Sequence, residues 1–375
     1  MTKSRPISAI VLAAGEGTRM RSSRPKPLHL ICGRPMVMHV LYALDELVVD
    51  RTVVVVGHAA ERVTKKVTEQ SPADQHVAFV EQVVQRGTGD AVAVGLTAFP
   101  DDDPDDTSTV VVLPGDTPLL RPSTLVDLVT RHEAANVAAT VLTADLDDPT
   151  GYGRVIRGKD GTVARVVEHR DADADELAVT EINTGIYCFR KDLLGPALRM
   201  LSPDNSQGEY YLTDVIGVLR STGHRVAAVV AGDPAETQGV NDRWQLALAE
   251  RELRARTNRK WLLEGVTMLD PRQTFVDVTV ELGRDVTLYP GTLLQGRTIV
   301  GDGCDLGPDT RLVDCMVGAG AVIENSVCRD AEIGAGAHVG PYAVLPPGTV
   351  VASGERTGAF YTGRADDADE PPSSD

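Results

Sequence analysis

The stretch ISAIVLAAGEGTRM, residues 7–20, joins a short apolar run to a glycine-rich turn. The apolar part, residues 7–12, is rich in branched aliphatic side chains and has the length of one buried strand. Gly15 and Gly17 let neighbouring backbone N–H groups converge on an anion, and Arg19 adds a full positive charge. The stretch therefore predicts a strand that leads into a phosphate-binding loop. An ordinary strand-to-helix turn with two glycines is the alternative interpretation.

A second positive charge follows in Arg24-Pro25-Lys26-Pro27-Leu28. Positive charges at Arg19 and Lys26 suit the departure of pyrophosphate, because they stabilise the negative charge that develops on it. The turn is not a P-loop, since G-x-x-x-x-G-K-[ST] is absent, and it lacks the third glycine of G-x-G-x-x-G. We therefore expect Arg19 and Lys26 to be the catalytic cations of a phosphate-handling enzyme.

Residues 1 to about 225 alternate short apolar runs with amphipathic stretches. This alternation predicts an α/β fold with a mainly parallel sheet, and ligands of such folds bind at the carboxyl ends of the strands. The predicted strands are residues 7–12, 52–56, 77–80, 109–113 and 137–143, and the predicted helices are residues 36–47, 91–98 and 123–135.

A different period begins near residue 270. One aliphatic residue recurs every six positions, first at Leu282, Leu288, Leu294, Val300, Leu306 and Leu312 and then, after a slip in phase, at Ile333, Val339, Leu345 and Val351. A hexapeptide period with one inward aliphatic per turn is typical of a parallel β-helix. Residues 243–263 between the two patterns predict one long, highly charged helix.

The chain has 375 residues, which is too long for one average domain. The patterns predict an α/β domain at residues 1–242, a linker helix at 243–265, a β-helix at 266–360 and a disordered acidic tail at 361–375. Aromatic residues make up only 4% of the chain, so aliphatic side chains must build both cores.

The formal net charge of −17 argues against a general nucleic-acid binder, because the phosphate backbone would be repelled. A nucleotide pocket is not excluded, since a few local cations can act there with a metal ion. Ten of the 54 acidic residues cluster in residues 101–106 and 366–375, which we interpret as a solvated loop and part of the disordered tail.

Five cysteines without a C-x-x-C pair give little support to zinc binding or a disulfide framework. The N-terminal apolar run leads into the glycine-rich turn and not into a cleavage site, and no apolar run approaches the length of a membrane helix. We expect a soluble protein in a reducing cytoplasm.

The segments G-x-G-T-R-M and P-K-P-L resemble the sugar-nucleotide pyrophosphorylase family. Further segments are similar to those of bacterial N-acetylglucosamine-1-phosphate uridyltransferases, which often form part of bifunctional enzymes, and they occur in the family's order. These segments are Gln82 with Gly87-Thr88-Gly89-Asp90-Ala91, Gly115-Asp116-Thr117-Pro118-Leu119, Thr150-Gly151-Tyr152-Gly153-Arg154, Val167-Glu168-His169, Glu181-Ile182-Asn183-Thr184-Gly185, Gln207-Gly208-Glu209-Tyr210-Tyr211-Leu212-Thr213-Asp214 and Gly239-Val240-Asn241-Asp242-Arg243.

The resemblance implies a Rossmann-like nucleotidyltransferase domain followed by a short left-handed parallel β-helix. It implies uridylyl transfer from UTP to N-acetylglucosamine 1-phosphate, which gives UDP-N-acetylglucosamine and diphosphate for cell-wall precursors, with Mg²⁺ as cofactor. It also implies a homotrimer formed through the β-helix, and neither nucleic acid nor a membrane is an expected partner. Glucose 1-phosphate or a related sugar phosphate is the alternative substrate.

Site residues are carried over from the family by position. Those implied for UTP are Leu12, Ala13, Ala14, Gly15, Gly17, Thr18, Gln82, Gly87 and Thr88, and those for the sugar phosphate are Gly153, Glu168, Asn183 and Asn241. The Gln82 amide can donate to and accept from the edge of uracil, and the Glu168 carboxylate can accept from sugar hydroxyls. Outside this context Gln82 would be read as a surface glutamine and Glu168 as a solvated acid.

A metal site is expected at Asp116 and Asn241. Asp116 follows the predicted strand 109–113, so its carboxylate belongs at the ligand-binding edge of the sheet, and a hard oxygen there suits Mg²⁺. Asn241 is the second ligand by resemblance. A turn-forming role is the alternative for Asp116, and an N-cap before the helix at residue 243 is the alternative for Asn241.

The expected reaction needs no general base, because the attacking oxygen of the sugar phosphate is already an anion. Positioning and charge neutralisation then carry catalysis. The sequence offers no plausible Ser/His/Asp or Cys/His constellation, which is consistent with this mechanism.

Two departures from the family pattern qualify the resemblance. Pro27 stands where this subfamily often has valine, which loosens the sugar assignment. Pro346 stands where bifunctional relatives carry an arginine, and the chain ends before the repeats that would carry the acetyltransferase histidine. We therefore expect no acetyltransferase activity. A bifunctional enzyme and a non-catalytic regulatory subunit are the competing hypotheses; intact Arg19, Lys26, Asp116 and Asn241 argue against the second.

Overall fold

A computed structural model describes residues 6–71, 76–99 and 106–363. By its contacts the chain divides into two compact units, Met1–His29 with Pro35–Leu246 and Leu30–Arg34 with Ala247–Asp375. The division between the larger parts falls inside a single long helix, Arg243–Leu263.

The first unit contains a nine-stranded sheet. Its strands are β1 (Ile7–Ala13), β2 (Arg51–Val56), β3 (Val77–Glu81), β4 (Thr109–Pro114), β5 (Ala139–Asp145), β6 (Arg154–Arg157), β7 (Val163–Val167), β8 (Glu181–Arg190) and β9 (Val226–Val230). The main order is β9-β5-β8-β4-β1-β2-β3, and β6 pairs with β8 and β7. Strand β8 runs antiparallel to both β4 and β5, whereas β1, β2, β3 and β4 are parallel, which confirms the mainly parallel α/β fold.

Helices cover both faces of this sheet. They are α1 (Met36–Tyr42), α2 (Ala60–Gln70), α3 (Thr88–Leu96), α4 (Pro122–Ala135), α5 (Ala174–Leu177), α6 (Lys191–Leu198) and α7 (Asp214–Ser221). Alternate residues of β1 enter opposite cores: Val11 packs with residues of α1, α2 and α4, and Ile10 packs with residues of α3, α6 and α7. The parallel strands at the centre are therefore largely apolar, as is typical of strands buried on both faces.

The largest differences between predicted and observed helix boundaries occur in two helices. The helix predicted at 36–47 ends at Tyr42, because the next residues make tighter turns in which Leu44 and Asp45 donate to carbonyls three residues back. The helix predicted at 91–98 starts earlier, at Thr88, directly after Gly87 with its positive φ of 109°. That earlier start places the beginning of α3 at the candidate site.

The helix predicted at 243–263 is present as α8 (Arg243–Leu263). Its buried residues include Ala249, Asn258 and Trp261, and the Asn258 amide donates to the backbone carbonyls of Pro271 and Thr274 at 2.8 and 2.9 Å. Trp261 joins the core of the second unit. The C-terminal part of α8 is thus anchored to that unit by both apolar and polar contacts.

Three parallel five-stranded sheets make up the rest of the second unit, as predicted for a β-helix. The first is Thr267–Met268, Thr287–Leu288, Asp305–Leu306, Val322–Ile323 and His338–Val339; the second is Phe275–Val276, Leu293–Gln295, Arg311–Val313, Val327–Arg329 and Val344–Leu345; the third is Glu281–Leu282, Ile299–Val300, Met316–Val317, Glu332–Ile333 and Val350–Val351. The aliphatic residues of the hexapeptide pattern are the second residues of these strands, and nearly all are buried. Between Leu312 and Ile333, where the six-residue spacing changes phase, Val317, Ile323 and Cys328 take the inward positions. Shortened turns in this stretch explain the change of phase.

A short hairpin, Leu30–Ile31 with Arg34–Pro35, supplies residues 30–34 to the second unit. Cys32 at its tip donates its N–H to Glu250 Oε2 at 2.7 Å and accepts at its carbonyl from the Val278 N–H at 3.0 Å. Gly33 has a φ of 82°, and a Cβ there would lie 2.5 Å from Asp277 Cγ. No sequence pattern predicted this long-range insertion.

Some predictions fall outside the described residues. These are most of the acidic loop, residues 101–105, and the tail from residue 364 onward. Within the described part of the chain, no helix is both long and apolar enough to span a membrane.

Candidate functional site

A cavity of about 370 Å³ lies in the first unit at the carboxyl ends of β1, β3 and β4. This volume is in the range of small-molecule sites, and its place in the sheet is where α/β folds bind ligands. Most of the predicted site residues line it, namely Leu12, Ala13, Ala14, Gly15, Lys26, Gln82, Gly87, Thr88, Asp116, Glu168 and Asn183. Residues from 12 to 183 of the sequence thus meet in one cavity.

The glycine-rich loop packs against the stem of the Lys26 side chain. Gly17 has a φ of 66°, and a Cβ on it would lie 2.5 Å from Lys26 Cβ, so only glycine allows this approach. Gly15 has open space around it. At the end of β1, the Ala14 carbonyl accepts from Gln85 Nε2 at 2.8 Å, which ties the start of the loop to the segment after β3.

Four charged or polar side chains converge beside the loop. Lys26 Nζ forms an ion pair with Asp116 and donates to Asn241 Oδ1 at 2.9 Å. Arg19 also donates to Asn241 Oδ1 at 2.9 Å, although the two residues are 222 positions apart. The Asp116 carbonyl accepts from the Val240 N–H at 2.8 Å, which brings the segment before α8 to the end of β4.

Helix capping, the alternative role for the Asn241 side chain, is carried out by the neighbouring residue Asp242. Asp242 Oδ1 accepts from the Gln245 N–H at 2.8 Å, and Gln245 Oε1 accepts from the Asn241 N–H at 2.7 Å. This reciprocal pair caps the start of α8. The Asn241 side chain is therefore available to the site.

The residues present fit a magnesium ion. No cluster of three or more His, Cys, Asp or Glu side chains that could hold a metal occurs in the described parts of the chain, but Mg²⁺ takes few protein ligands and keeps several waters. An Asp116 oxygen and Asn241 Oδ1 both contact one cationic atom, Lys26 Nζ. The two hard oxygens thus already converge on a point of positive charge.

The segment after β3 forms another part of the cavity. Gln82 Nε2 donates to Asp90 Oδ2 at 2.7 Å and to the Gly87 carbonyl at 3.2 Å. Thr88 Oγ1 accepts from the Leu212 N–H at 3.0 Å, which leaves its own proton to donate. Gln82 is buried and lines the cavity, so it is not the surface glutamine that its sequence context alone would suggest.

Glu168 and Asn183 line the cavity on neighbouring elements. Burial raises the pKa of the Glu168 carboxyl, and it accepts from Thr213 Oγ1 at 3.1 Å. Asn183 Oδ1 accepts from the Gly185 N–H at 3.1 Å, and the Asn183 N–H donates to the Gly153 carbonyl at 2.9 Å. Glu168 is therefore not a freely solvated acid.

Five predicted site residues do not line the cavity, namely Gly17, Thr18, Arg19, Gly153 and Asn241. Arg19 and Asn241 are connected to it through Lys26, Gly17 packs on Lys26, and Gly153 supports Asn183. Thr18 is exposed and lies in a 3₁₀ turn.

Sequence reasoning missed further lining residues, among them Gln85, Tyr187, Glu209 and Thr213. Glu209 and Thr213 were inside a quoted family segment but had no role assigned. Tyr187 lies four residues after Asn183 on β8, but the register with β5 shifts between the two residues, so simple period-two alternation does not predict its position.

Tyr187 is 1% exposed and stacks on Phe189 with ring centroids 5.3 Å apart. Burial, and then the nearby Glu168 carboxylate, raise the pKa of the phenol, so it stays protonated. The Asn183 side chain is near, but no hydrogen bond of normal length and angle reaches the Tyr187 hydroxyl from the described residues. The cavity is thus lined by a buried hydroxyl that has a proton to donate.

Comparison with known proteins agrees with this geometry. A model of the family described as nucleotidyl transferase matches residues 8–245. The chain is 50% identical to the bifunctional protein GlmU of Streptomyces avermitilis over 361 residues, which cover 96% of this chain and 74% of that protein, and the values for Streptomyces coelicolor are the same. It is 51% identical to the bifunctional protein GlmU of Thermobifida fusca over 334 residues, covering 89% of this chain and 68% of that protein. The chain therefore belongs to the nucleotidyl transferase family, within its GlmU group.

Proposed function

We propose that the protein transfers a uridylyl group from UTP to N-acetylglucosamine 1-phosphate, producing UDP-N-acetylglucosamine and diphosphate. The observation that carries the proposal is the convergence of Lys26, Asp116, Asn241 and Arg19 beside the glycine-rich loop and the cavity. Two cations and two hard oxygen ligands in one place suit a reaction in which negative charge moves onto leaving phosphates.

Three parts of the cavity divide the substrates between them. We expect the main-chain N–H groups of the loop at residues 12–18 and the Lys26 ammonium to bind the triphosphate. We expect Gln82, Gly87 and Thr88, which line the cavity, to bind the uracil base, whose edge the Gln82 amide can recognise. Glu168 and Asn183 offer a carboxylate and an amide to the sugar hydroxyls and the N-acetyl group.

The reaction is an in-line displacement at the α-phosphorus of UTP. A phosphate oxygen of the sugar phosphate forms the new P–O bond, and the bond between the α-phosphorus and the bridging oxygen breaks, so that diphosphate leaves with the electron pair. Lys26 and Arg19 donate N–H groups to the phosphate oxygens as their charge grows. Mg²⁺ held by Asp116 and Asn241 would supply further charge neutralisation and orient the nucleotide.

None of the residues that line the cavity is a histidine or a cysteine. The proposed mechanism needs no general base in any case, because the attacking phosphate oxygen is ionised at neutral pH. Catalysis then rests on positioning and charge, and orientation alone can contribute about 7–11 kcal/mol in favourable cases.

Pyrophosphate release from UTP with a panel of sugar 1-phosphates tests the proposal. N-acetylglucosamine 1-phosphate should react fastest and glucose 1-phosphate clearly more slowly. Equal rates across the panel, or no release with any sugar phosphate, would contradict the substrate assignment.

The metal assignment is tested with Asp116→Ala. This variant should lose turnover at every Mg²⁺ concentration while its circular dichroism is unchanged. Asp127→Ala is a matched control, because Asp127 is an exposed acid on α4 whose ion pair with Arg131 is at the surface. Near-normal Mg²⁺-dependent rates for Asp116→Ala would contradict the metal role.

The β-helix is proposed to join copies of the chain, with three copies expected. In its third sheet the outward residues Ile299, Met316 and Val350 are 37%, 51% and 64% exposed, and the outward Glu332 lies between Met316 and Val350. Ile299 and Met316 are neighbours in register, and exposed apolar side chains favour burial against another surface. Light scattering should give the mass of a trimer, and a monomer at micromolar concentration would contradict this assembly.

Absence of acetyl transfer stays a prediction, which rests on Pro346 in place of arginine. Glucosamine 1-phosphate and acetyl-CoA should give no more free thiol with the protein than without it. Catalytic release of thiol would show that the β-helix carries a second activity.

A reducing compartment, the cytoplasm, is part of the proposal. All five cysteines are buried as free thiols, and burial raises the pKa of each of them. Protonated, buried thiols are inert packing groups, and they need no oxidising environment.

A further inference from the structure

We propose that Asp90 is a positioning residue for base selection, which holds the Gln82 amide so that its oxygen faces the nucleotide. The inference rests on the proposed function in one respect, that the nucleotide binds in this cavity. It goes further by naming the atom that reads the base and the residue that orients it.

The orientation of the Gln82 amide follows from the chemistry of its partners. The nitrogen contacts Asp90 Oδ2 at 2.7 Å and the Gly87 carbonyl at 3.2 Å. Both partners are acceptors only, and an amide nitrogen has two protons to donate, so both protons are used. A flipped amide would place its oxygen against two other oxygens and lose both hydrogen bonds.

The amide oxygen is consequently the group that Gln82 offers to a ligand. Gln82 lines the cavity, and no donor in the described residues reaches its Oε1. The backbone N–H of Gly87, which also lines the cavity, has no hydrogen-bond partner in the described residues either. The base site therefore presents one fixed acceptor and one backbone donor.

Uracil matches this pair and cytosine does not. Uracil has a donor at N3–H next to an acceptor at O4, whereas cytosine has an acceptor at N3 next to a donor at its amino group. Cytosine in the same pose would set lone pair against lone pair and N–H against N–H. Fixing the amide thus turns a side chain that could serve either base into one that selects UTP over CTP.

Asp90 can also stabilise helix α3, and the experiment must distinguish this role from orientation of the Gln82 amide. It lies in the first turn of α3, where any acid is favourable to the helix. A helix-stabilising role depends on the negative charge, whereas the positioning role depends on an acceptor oxygen. Asp90→Asn and Asp90→Ala distinguish the two, because asparagine loses the charge but keeps an acceptor that can face Gln82 Nε2.

The experiment measures the binding of UTP and of CTP, each with Mg²⁺, by calorimetry to the full chain and to both variants. We expect the wild type to bind UTP more tightly. Asp90→Ala should lower the ratio of the two affinities about tenfold, the size of one lost hydrogen bond, and Asp90→Asn should keep it within about twofold. Melting temperatures of both variants show whether α3 is weakened.

Several outcomes overturn the proposal: equal binding of UTP and CTP by the wild type, an unchanged ratio in Asp90→Ala, or equal losses of the ratio in both variants. Binding needs no turnover, so the result stands apart from the proposed function. A wild type that selects UTP but never releases diphosphate would refute uridylyl transfer and leave the role of Asp90 intact.

Discussion

Replacing Gly17 by alanine should disable the enzyme through Lys26 and the backbone of the glycine-rich loop. Gly17 has a φ of 66°, and an added Cβ would lie 2.5 Å from Lys26 Cβ and 3.1 Å from its Cδ. Two effects combine: strain in the backbone of the glycine-rich loop and displacement of the lysine stem.

The structure gives the size of each effect. Non-bonded carbon atoms need about 3.5 Å, so Lys26 or the loop must move by about 1 Å. A misplacement of that size at a catalytic group is expected to lower the rate about 100-fold. Alanine in the left-handed region adds about 1–2 kcal/mol of strain, which for a unit of this size lowers the melting temperature by about 2–8 °C.

The assay is pyrophosphate release from UTP and N-acetylglucosamine 1-phosphate, with thermal melting measured alongside. Gly15→Ala is the matched control, because a Cβ at Gly15 meets no protein atom within 4 Å. It should melt like the wild type. If Gly17→Ala kept a normal kcat, or if both alanine variants lost stability equally, the steric argument would be refuted.

Three further predictions concern single side chains of the cavity. Lys26→Ala should lower kcat about 100-fold with little change in KM, and a raised KM at normal kcat would make Lys26 a ground-state binding residue instead. Tyr187→Phe should raise the KM for the sugar phosphate. It should leave the unliganded protein as stable as the wild type or more stable, because the Tyr187 hydroxyl has no hydrogen-bond partner among the described residues. An unchanged KM would rule out a contact between this hydroxyl and the ligand. Burial raises the pKa of Glu168, so the folded state binds its proton more tightly than the unfolded chain, and stability should increase as pH falls from neutral through that raised pKa. Glu168→Gln should be more stable than the wild type at neutral pH and show a flatter pH dependence of melting, and a less stable variant at neutral pH would contradict this.

Local sequence determined much of this protein. The branched aliphatic residues of β1 and the two glycines after it predicted a strand and a loop that the structure shows, because a few neighbouring residues decide such elements. The six-residue period predicted the β-helix for the same reason, since each coil repeats the same inward position. The bounds of α8 also followed from its composition.

Tertiary structure decided what no local pattern contains. Asp116 and Asn241 meet Lys26 although they are 90 and 215 positions away from it in sequence. The parallel pairing of β1 with β4 brings Asp116 to the glycine-rich loop, and the hydrogen bond from the Val240 N–H to the Asp116 carbonyl brings in Asn241. The hairpin at residues 30–34 enters the second unit through Cys32 and Glu250, a pairing without periodicity.

The Gln82 amide shows the difference within one residue. The family resemblance of the segment with Gln82 and Gly87 placed Gln82 among the expected base-binding residues. Which end of its amide faces the cavity was decided by Asp90 and the Gly87 carbonyl, both acceptors, on its other side. The sequence determines which groups are available to bind a ligand, and packing determines the atom each one presents, because hydrogen-bond partners are fixed only once the chain has folded around them.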